Sequence, residues 1–152
     1  MDKQGGLMWS TEYTVDTTAT PGAVWSALRD LHTGTRLSEQ SDSFEIHGPF
    51  AFGSKVSVTP KGKDTFHCKI VEFVEGERYA ARTELSGLSL LFRHTLDPLT
   101  SGGTRITYTL VIDGPASDQV GPELGSQISE DFPSVIDDLV TAAIDRQSRT
   151  AK

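Results

Sequence analysis

The apolar residues Leu124, Ile128, Phe132, Val135, Ile136, Leu139, Val140 and Ala143 recur at steps of three and four. That is the period of one buried helical face. This closing amphipathic helix follows an almost unbroken run of strand-like segments, and only those strands can supply the apolar surface it needs. A curved antiparallel sheet gripping a single helix leaves space between the two layers, which points to a small-molecule cavity.

The strand-like segments are well separated. Trp9–Thr18 comes first, with threonines and aromatics alternating along it. Thr20-Pro21 then starts a helix, Thr20 as N-cap and Pro21 at the first helical position. Val24, Trp25, Leu28 and Leu31 share one face, and Gly34 ends or bends the segment, so two short helices are expected between Pro21 and Leu37. Ser43–His47, Ser54–Thr59, Thr65–Val74, Arg78–Leu85, Leu88–Asp97 and Thr104–Asp113 follow as strands. The turns between them, such as Glu75-Gly76-Glu77 and Ser101-Gly102-Gly103, are too short for parallel crossovers, so neighbours pair antiparallel. The expected fold is α+β, a curved seven-stranded antiparallel sheet wrapped around a long C-terminal helix. Pro133 is expected to kink that helix, either to follow the curved sheet or to make a flexible lid.

The last hairpin can be registered residue by residue. A turn near Ser101 places Leu96 opposite Ile106, His94 opposite Tyr108, Phe92 opposite Leu110 and Leu90 opposite Ile112. These pairs lie on one face, because strand side chains alternate. The other face carries Ser89, Arg93, Thr95, Arg105, Thr107 and Thr109. A slip of one residue would spoil the match. His94 and Tyr108 thus become polar groups in an apolar wall.

Composition excludes several function classes. The chain of 152 residues carries a net charge of −7, which opposes contact with phosphate backbones and anionic membranes. No apolar stretch reaches the length of a membrane span, and one cysteine, Cys68, precludes an intrachain disulfide. Residues 8–148 are read as one ligand-binding domain and 1–7 as a leader, with Met8 as an alternative start. The cytoplasm is the expected compartment, with no nucleic-acid or membrane partner and either a monomer or a homodimer.

Several stretches resemble the SRPBCC superfamily, the helix-grip fold of START domains, birch-pollen-allergen-like proteins and polyketide cyclase/dehydrase-like proteins. They are Thr17-Thr18-Ala19-Thr20-Pro21-Gly22-Ala23-Val24-Trp25, Gly48-Pro49-Phe50-Ala51-Phe52-Gly53-Ser54, Phe92-Arg93-His94-Thr95-Leu96 and Gly103-Thr104-Arg105-Ile106-Thr107-Tyr108. The resemblance runs from Tyr13 to about Ala143 and implies a deep, mainly apolar cavity. Lipids, polyketides or other hydrophobic small molecules are the occupants it implies. Some members catalyse cyclisation or dehydration and others only bind, which the fold does not decide.

Signatures of other chemistries are missing. There is no Gly-x-Ser-x-Gly elbow, phosphate-binding loop or His-Glu-x-x-His helix, and no cofactor is predicted. His32, His47, His67 and His94 are scattered without ligand spacing, and His67 and Cys68 point to opposite strand faces, so no metal site is predicted. The expected ligand-binding residues are Tyr79, Leu90, Phe92, His94, Tyr108, Leu110, Ile128 and Phe132. Two readings of the central pair stay open. His94 could act as a base and Tyr108 as an oxyanion donor, or both could be amphipathic wall residues.

Overall fold

The computed structural model describes residues 8–150 apart from 36, 38–41, 61 and 86. Ten elements follow one another: β1 (Met8–Thr17), α1 (Pro21–His32), β2 (Ser43–His47), β3 (Lys55–Thr59), β4 (Phe66–Val74), β5 (Arg78–Leu85), β6 (Leu88–Pro98), β7 (Thr104–Asp113), α2 (Ser117–Ser129) and α3 (Phe132–Thr150). All strands join one antiparallel sheet in the order β1-β7-β6-β5-β4-β3-β2. The first two strands in the chain therefore form its two edges, and α1 spans the distance between them. The β4–β5 register shifts between Ile70 and Glu72, a bulge that bends β4 and increases local twist. The β6–β7 register is the one expected, from Leu90–Ile112 through His94–Tyr108 to Leu96–Ile106.

The start of α1 follows its sequence signals. Thr20 Oγ1 accepts from the Ala23 amide at 3.2 Å, and Pro21 fills a position where no donor is needed. Among the described residues this helix is single. Gly34, with φ of 120°, turns the chain out of the helical path after Thr33 has capped it. Leu37 lies in a bend, and the rest of the second short helix expected before it falls on residues 36 and 38–40, outside the described ones.

The closing helix is interrupted. α2 ends at Ser129, Glu130 and Asp131 form the junction, and α3 begins at Phe132. Pro133 explains the break, because it has no N–H to donate to Ser129 and stands in the first turn of α3, where that loss costs least. The kink expected at Pro133 is thus a boundary between two helices.

The sheet's inner face and both C-terminal helices enclose two adjoining clusters. Val24, Leu28, Ile70, Ile106, Ile136, Leu139 and Ala143 belong to the larger one, under α1 and α3. Leu90, Leu110, Ile112 and Phe132 form the smaller one, under α2. Trp9 of β1 packs against the second cluster by lying across two glycines of α2. A Cβ on Gly125 would stand 2.1 Å from Trp9 Cζ3, and one on Gly121 would stand 2.9 Å from Trp9 Cβ. Gly125→Ala should therefore destabilise the fold by about 1–2 kcal/mol, since overpacking outweighs alanine's better helix propensity of about 1 kcal/mol. Gly22→Ala in α1, where nothing lies within 4 Å, is the control and should stabilise by up to about 1 kcal/mol. Urea midpoints for the two variants that move the same way would refute the Trp9 contact.

Candidate functional site

The centre of the sheet carries a row of ring side chains in direct cross-strand register. Phe73 of β4 faces Tyr79 of β5, Tyr79 faces His94 of β6, His94 faces Tyr108 of β7, and Tyr108 faces Tyr13 of β1. Such residues share one side of the sheet, because paired positions point the same way. The His94 and Tyr108 rings stack at 4.1 Å and 17°, and Tyr108 stacks on Phe132 of α3 at 4.1 Å and 25°. Stacked faces leave the phenol oxygen outside the imidazole plane. The pair packs face to face and does not form the hydrogen bond that an acid–base couple would use.

His32 closes the row from above. As the last residue of α1, it sits 4.4 Å from Phe44, 4.7 Å from Tyr79 and 5.4 Å from His94, centroid to centroid. Its Nδ1 lies 2.9 Å from the Leu28 carbonyl. His94 Nδ1 is buried with no hydrogen-bond partner.

Around this row lie three adjoining lobes that share Asp42 and Tyr108. The largest, about 630 Å³, opens between α1, β2 and α3 and reaches His32, Phe44, His94 and Val135. A second of about 330 Å³ lies between the sheet and the α2–α3 junction, walled by Leu90, Phe92, Tyr108, Leu124, Ile128 and Phe132. The third, about 70 Å³, is a cleft among Val56, Val58, Cys68, Tyr79 and His94. Asp131 of the α2–α3 junction and Asp138 of α3 line the largest lobe with Asp42 and Lys63.

Burial sets the protonation states. It pushes the His32 imidazole down to about 4, against a smaller opposing effect of the Leu28 carbonyl. His94 is held well below the usual histidine range by burial and then by His32. The Tyr79 and Tyr108 phenols are pushed up, mainly by burial, and the Cys68 thiol is pushed up to about 12. At neutral pH the site thus holds neutral imidazoles, phenols and a thiol. Among the described residues no group of three or more side chains could hold a metal ion.

Of the residues expected from the sequence, Tyr79, Leu90, Phe92, His94, Tyr108, Ile128 and Phe132 line these lobes. Leu110 does not. It is fully buried in the layer behind, packed with Leu90, Ile112 and Phe132 beneath α2. Sequence reasoning missed His32, Phe44 and Phe66. His32 had a usable signal, since it follows Leu28 by one helical turn on the face of Val24 and Leu31. His47 and His67, also scattered in sequence, meet at Ser57 Oγ on the exposed outer face, at 2.9 and 3.0 Å.

The family model for polyketide cyclase / dehydrase and lipid transport matches residues 8–143. The chain belongs to this family. No curated protein sequence matches it. Polyketide cyclase / dehydrase members fall in the SRPBCC superfamily, and the solved structures agree on the helix-grip shape. Ara h 8.0201 superposes with a TM-score of 0.71 at 15% identity, covering 91% of this chain and 99% of that one. A norcoclaurine synthase point mutant from Thalictrum flavum, in complex with a transition-state analogue, gives 0.71 at 11%, covering 93% and 97%. A Staphylococcus aureus protein of unknown function gives 0.71 at 14%, covering 93% and 96%. At these identities the likeness concerns the fold. No helix among the described residues is long and apolar enough to cross a membrane.

Proposed function

We propose that this protein binds a hydrophobic small molecule, a lipid, polyketide or aromatic metabolite, between the sheet and the α2–α3 junction. One observation carries the reading. The lobe of about 330 Å³ is walled by Leu90, Phe92, Leu124, Ile128 and Phe132, and shares Tyr108 and Val135 with the larger lobe. Asp42, Lys63, Asp64, Thr83, Gln127 and Asp131 also line it, and a cleft of this size that combines an apolar wall with such polar groups suits a small ligand. Binding is favoured over catalysis by the state of His94. An imidazole held well below its usual range is a weak base at neutral pH, whereas a general base works best near the operating pH. The cyclase or dehydratase alternative, with His94 and Tyr108 as acid–base and oxyanion groups, is weakened further by their stacked geometry.

The test is a titration of folded protein with anilinonaphthalene sulfonate or a long-chain fatty acid, alongside native mass spectrometry for a co-purifying compound. Saturable binding at one site per chain should raise Tm, and a hundredfold excess over Kd stabilises by about 2.7 kcal/mol. Val135→Trp should fill the junction of the two lobes and abolish the effect while the protein stays folded. Unchanged binding in that variant, or a Tm indifferent to saturating probe, would sink the reading.

A further inference from the structure

The binding reading leaves His32 without a role, although this histidine is 5% exposed and His94 only 3%. Their rings meet at 5.4 Å and 73°, one from a helix end and one from mid-sheet, 62 positions apart in sequence (94 − 32). Both line the largest lobe and the small cleft. The Leu28 carbonyl can only accept, so His32 Nδ1 carries the proton and donates to it. His32 Nε2 is left as a lone-pair acceptor. His94 Nδ1 is buried and unpaired, and a buried polar atom in that condition is rare in a native structure and calls for a partner.

Resting on the binding reading, we propose that the His32–His94 end of the cavity is a hydroxyl-reading site, and that its ligand is a flat aromatic compound bearing a phenolic or enolic O–H. The acceptor at His32 Nε2 is matched by a ligand that donates. A carboxylate, a ketone or an ether offers only acceptors and leaves that nitrogen unmet. A hydroxyl donates once and accepts as well, so it satisfies His32 and also meets His94 in either neutral tautomer. Both imidazoles are neutral at physiological pH, since burial opposes their charge. An anionic head group therefore gains no cation from the pair, and Lys63 in the same lobe stands among Asp42, Asp131 and Asp138. The flat shape follows from the parallel stack of His94, Tyr108 and Phe132, which runs from the histidine pair to the apolar lobe. Tyr108 has one face on His94 and the other on Phe132, so the column offers ring edges, and edge-to-face contact with them favours a ring over a flexible chain.

The probes are 2-naphthol and 2-methylnaphthalene, which share one ring system and exchange O–H for CH3, with 2-naphthoate as the anion. On hydrophobicity alone the methyl compound binds tighter. The wild-type protein should instead prefer 2-naphthol about three- to tenfold, the ratio one net hydrogen bond supplies. The order should reverse in His32→Leu and in His94→Phe, and 2-naphthoate should bind weakest. Because either variant can disturb folding, histidine 15N resonances of the wild-type protein give a second readout. 2-Naphthol should move the His32 Nε2 resonance and 2-methylnaphthalene should leave it in place. Tighter binding of the methyl compound to wild type, a naphthol preference that survives both substitutions, or a resonance unmoved by 2-naphthol overturns the proposal. If both neutral probes bind but the methyl one binds tighter, the cavity stands and the hydroxyl site falls. If neither binds saturably, the cavity reading itself falls and this inference with it.

Discussion

Lowering the pH from 6.5 to 4.5 should weaken the fold by about 2 kcal/mol through His32 alone, with His94 adding to the loss. The sign follows from linkage. In the unfolded chain a histidine titrates near 6.5, whereas burial lowers His32 to about 4 in the fold. Below 6.5 the unfolded state takes up the proton first, so stability falls at up to about 1.4 kcal/mol per pH unit for each such group. The loss from His32 levels off near pH 4, where the folded imidazole also protonates. His94 is lowered by burial and by His32, so it acts in the same direction. Glu72 and Asp16 also have lowered values, through Arg93 and Arg105 respectively, but carboxylates contribute their loss mainly below the usual carboxylate range. The window from 6.5 to 4.5 therefore isolates the histidines. Urea unfolding at half-unit pH intervals should show this decline, and His32→Phe should make it shallower. A stability curve flat across that window would mean that the two imidazoles are not held neutral by burial.

The same burial explains which parts of the site could be seen in the sequence. The His94–Tyr108 rung was legible because both strands alternate strictly, and only one register pairs apolar with apolar over four rungs. The rungs Phe73–Tyr79 and Tyr79–His94 obey the same count, about Gly76 and about Ser86-Gly87, because the β4–β5 bulge shifts the register only beyond them, between Glu72 and Ile70. Edge pairing of β1 with β7 joins residues nearly a hundred positions apart, which no local pattern encodes. His32 lies one turn after Leu28 on the apolar face of α1, and the fold adds what that face covers, bringing β5 and β6 beneath it as the floor of a cavity.

The helices show the same division. Apolar periodicity runs through Glu130 and Asp131 without a missed step, so the pattern alone reads as one helix. The break is a backbone event set by the missing donor of Pro133, and it leaves the buried face in phase on both sides. The Gly121–Gly125 seam has the spacing of one helical turn, a signal of close approach by some neighbour. Which neighbour, Trp9 from the opposite end of the chain, is a tertiary fact.

Leu139→Ala in α3 should cost about 2–5 kcal/mol. Leu139 is 1% exposed and lies in the cluster that also holds Val24, Leu28, Ile136 and Ala143. It is therefore pressed between α1 and the sheet, with β-strands on one side and a helix on the other. Neither neighbour can move in easily to fill the gap, because α1 is tied at both ends. The Thr20 amide donates to Gln147 Oε1 at 2.7 Å, and Asp30 pairs with Arg146. A truncation in such a fixed surround keeps most of its cavity, which puts the expected cost in the upper half of that range. Ser134 is exposed on the same helix and should tolerate alanine within about 0.5 kcal/mol. In urea the midpoint of Leu139→Ala should fall while the slope stays near wild type, since the same surface is exposed on unfolding. Ligand affinity in the folded variant should be unchanged, because Leu139 lines none of the three lobes. A midpoint equal to that of Ser134→Ala would show that the face assigned to α3 is wrong, and an affinity that drops with stability would mean that the cavity depends on this layer of the core.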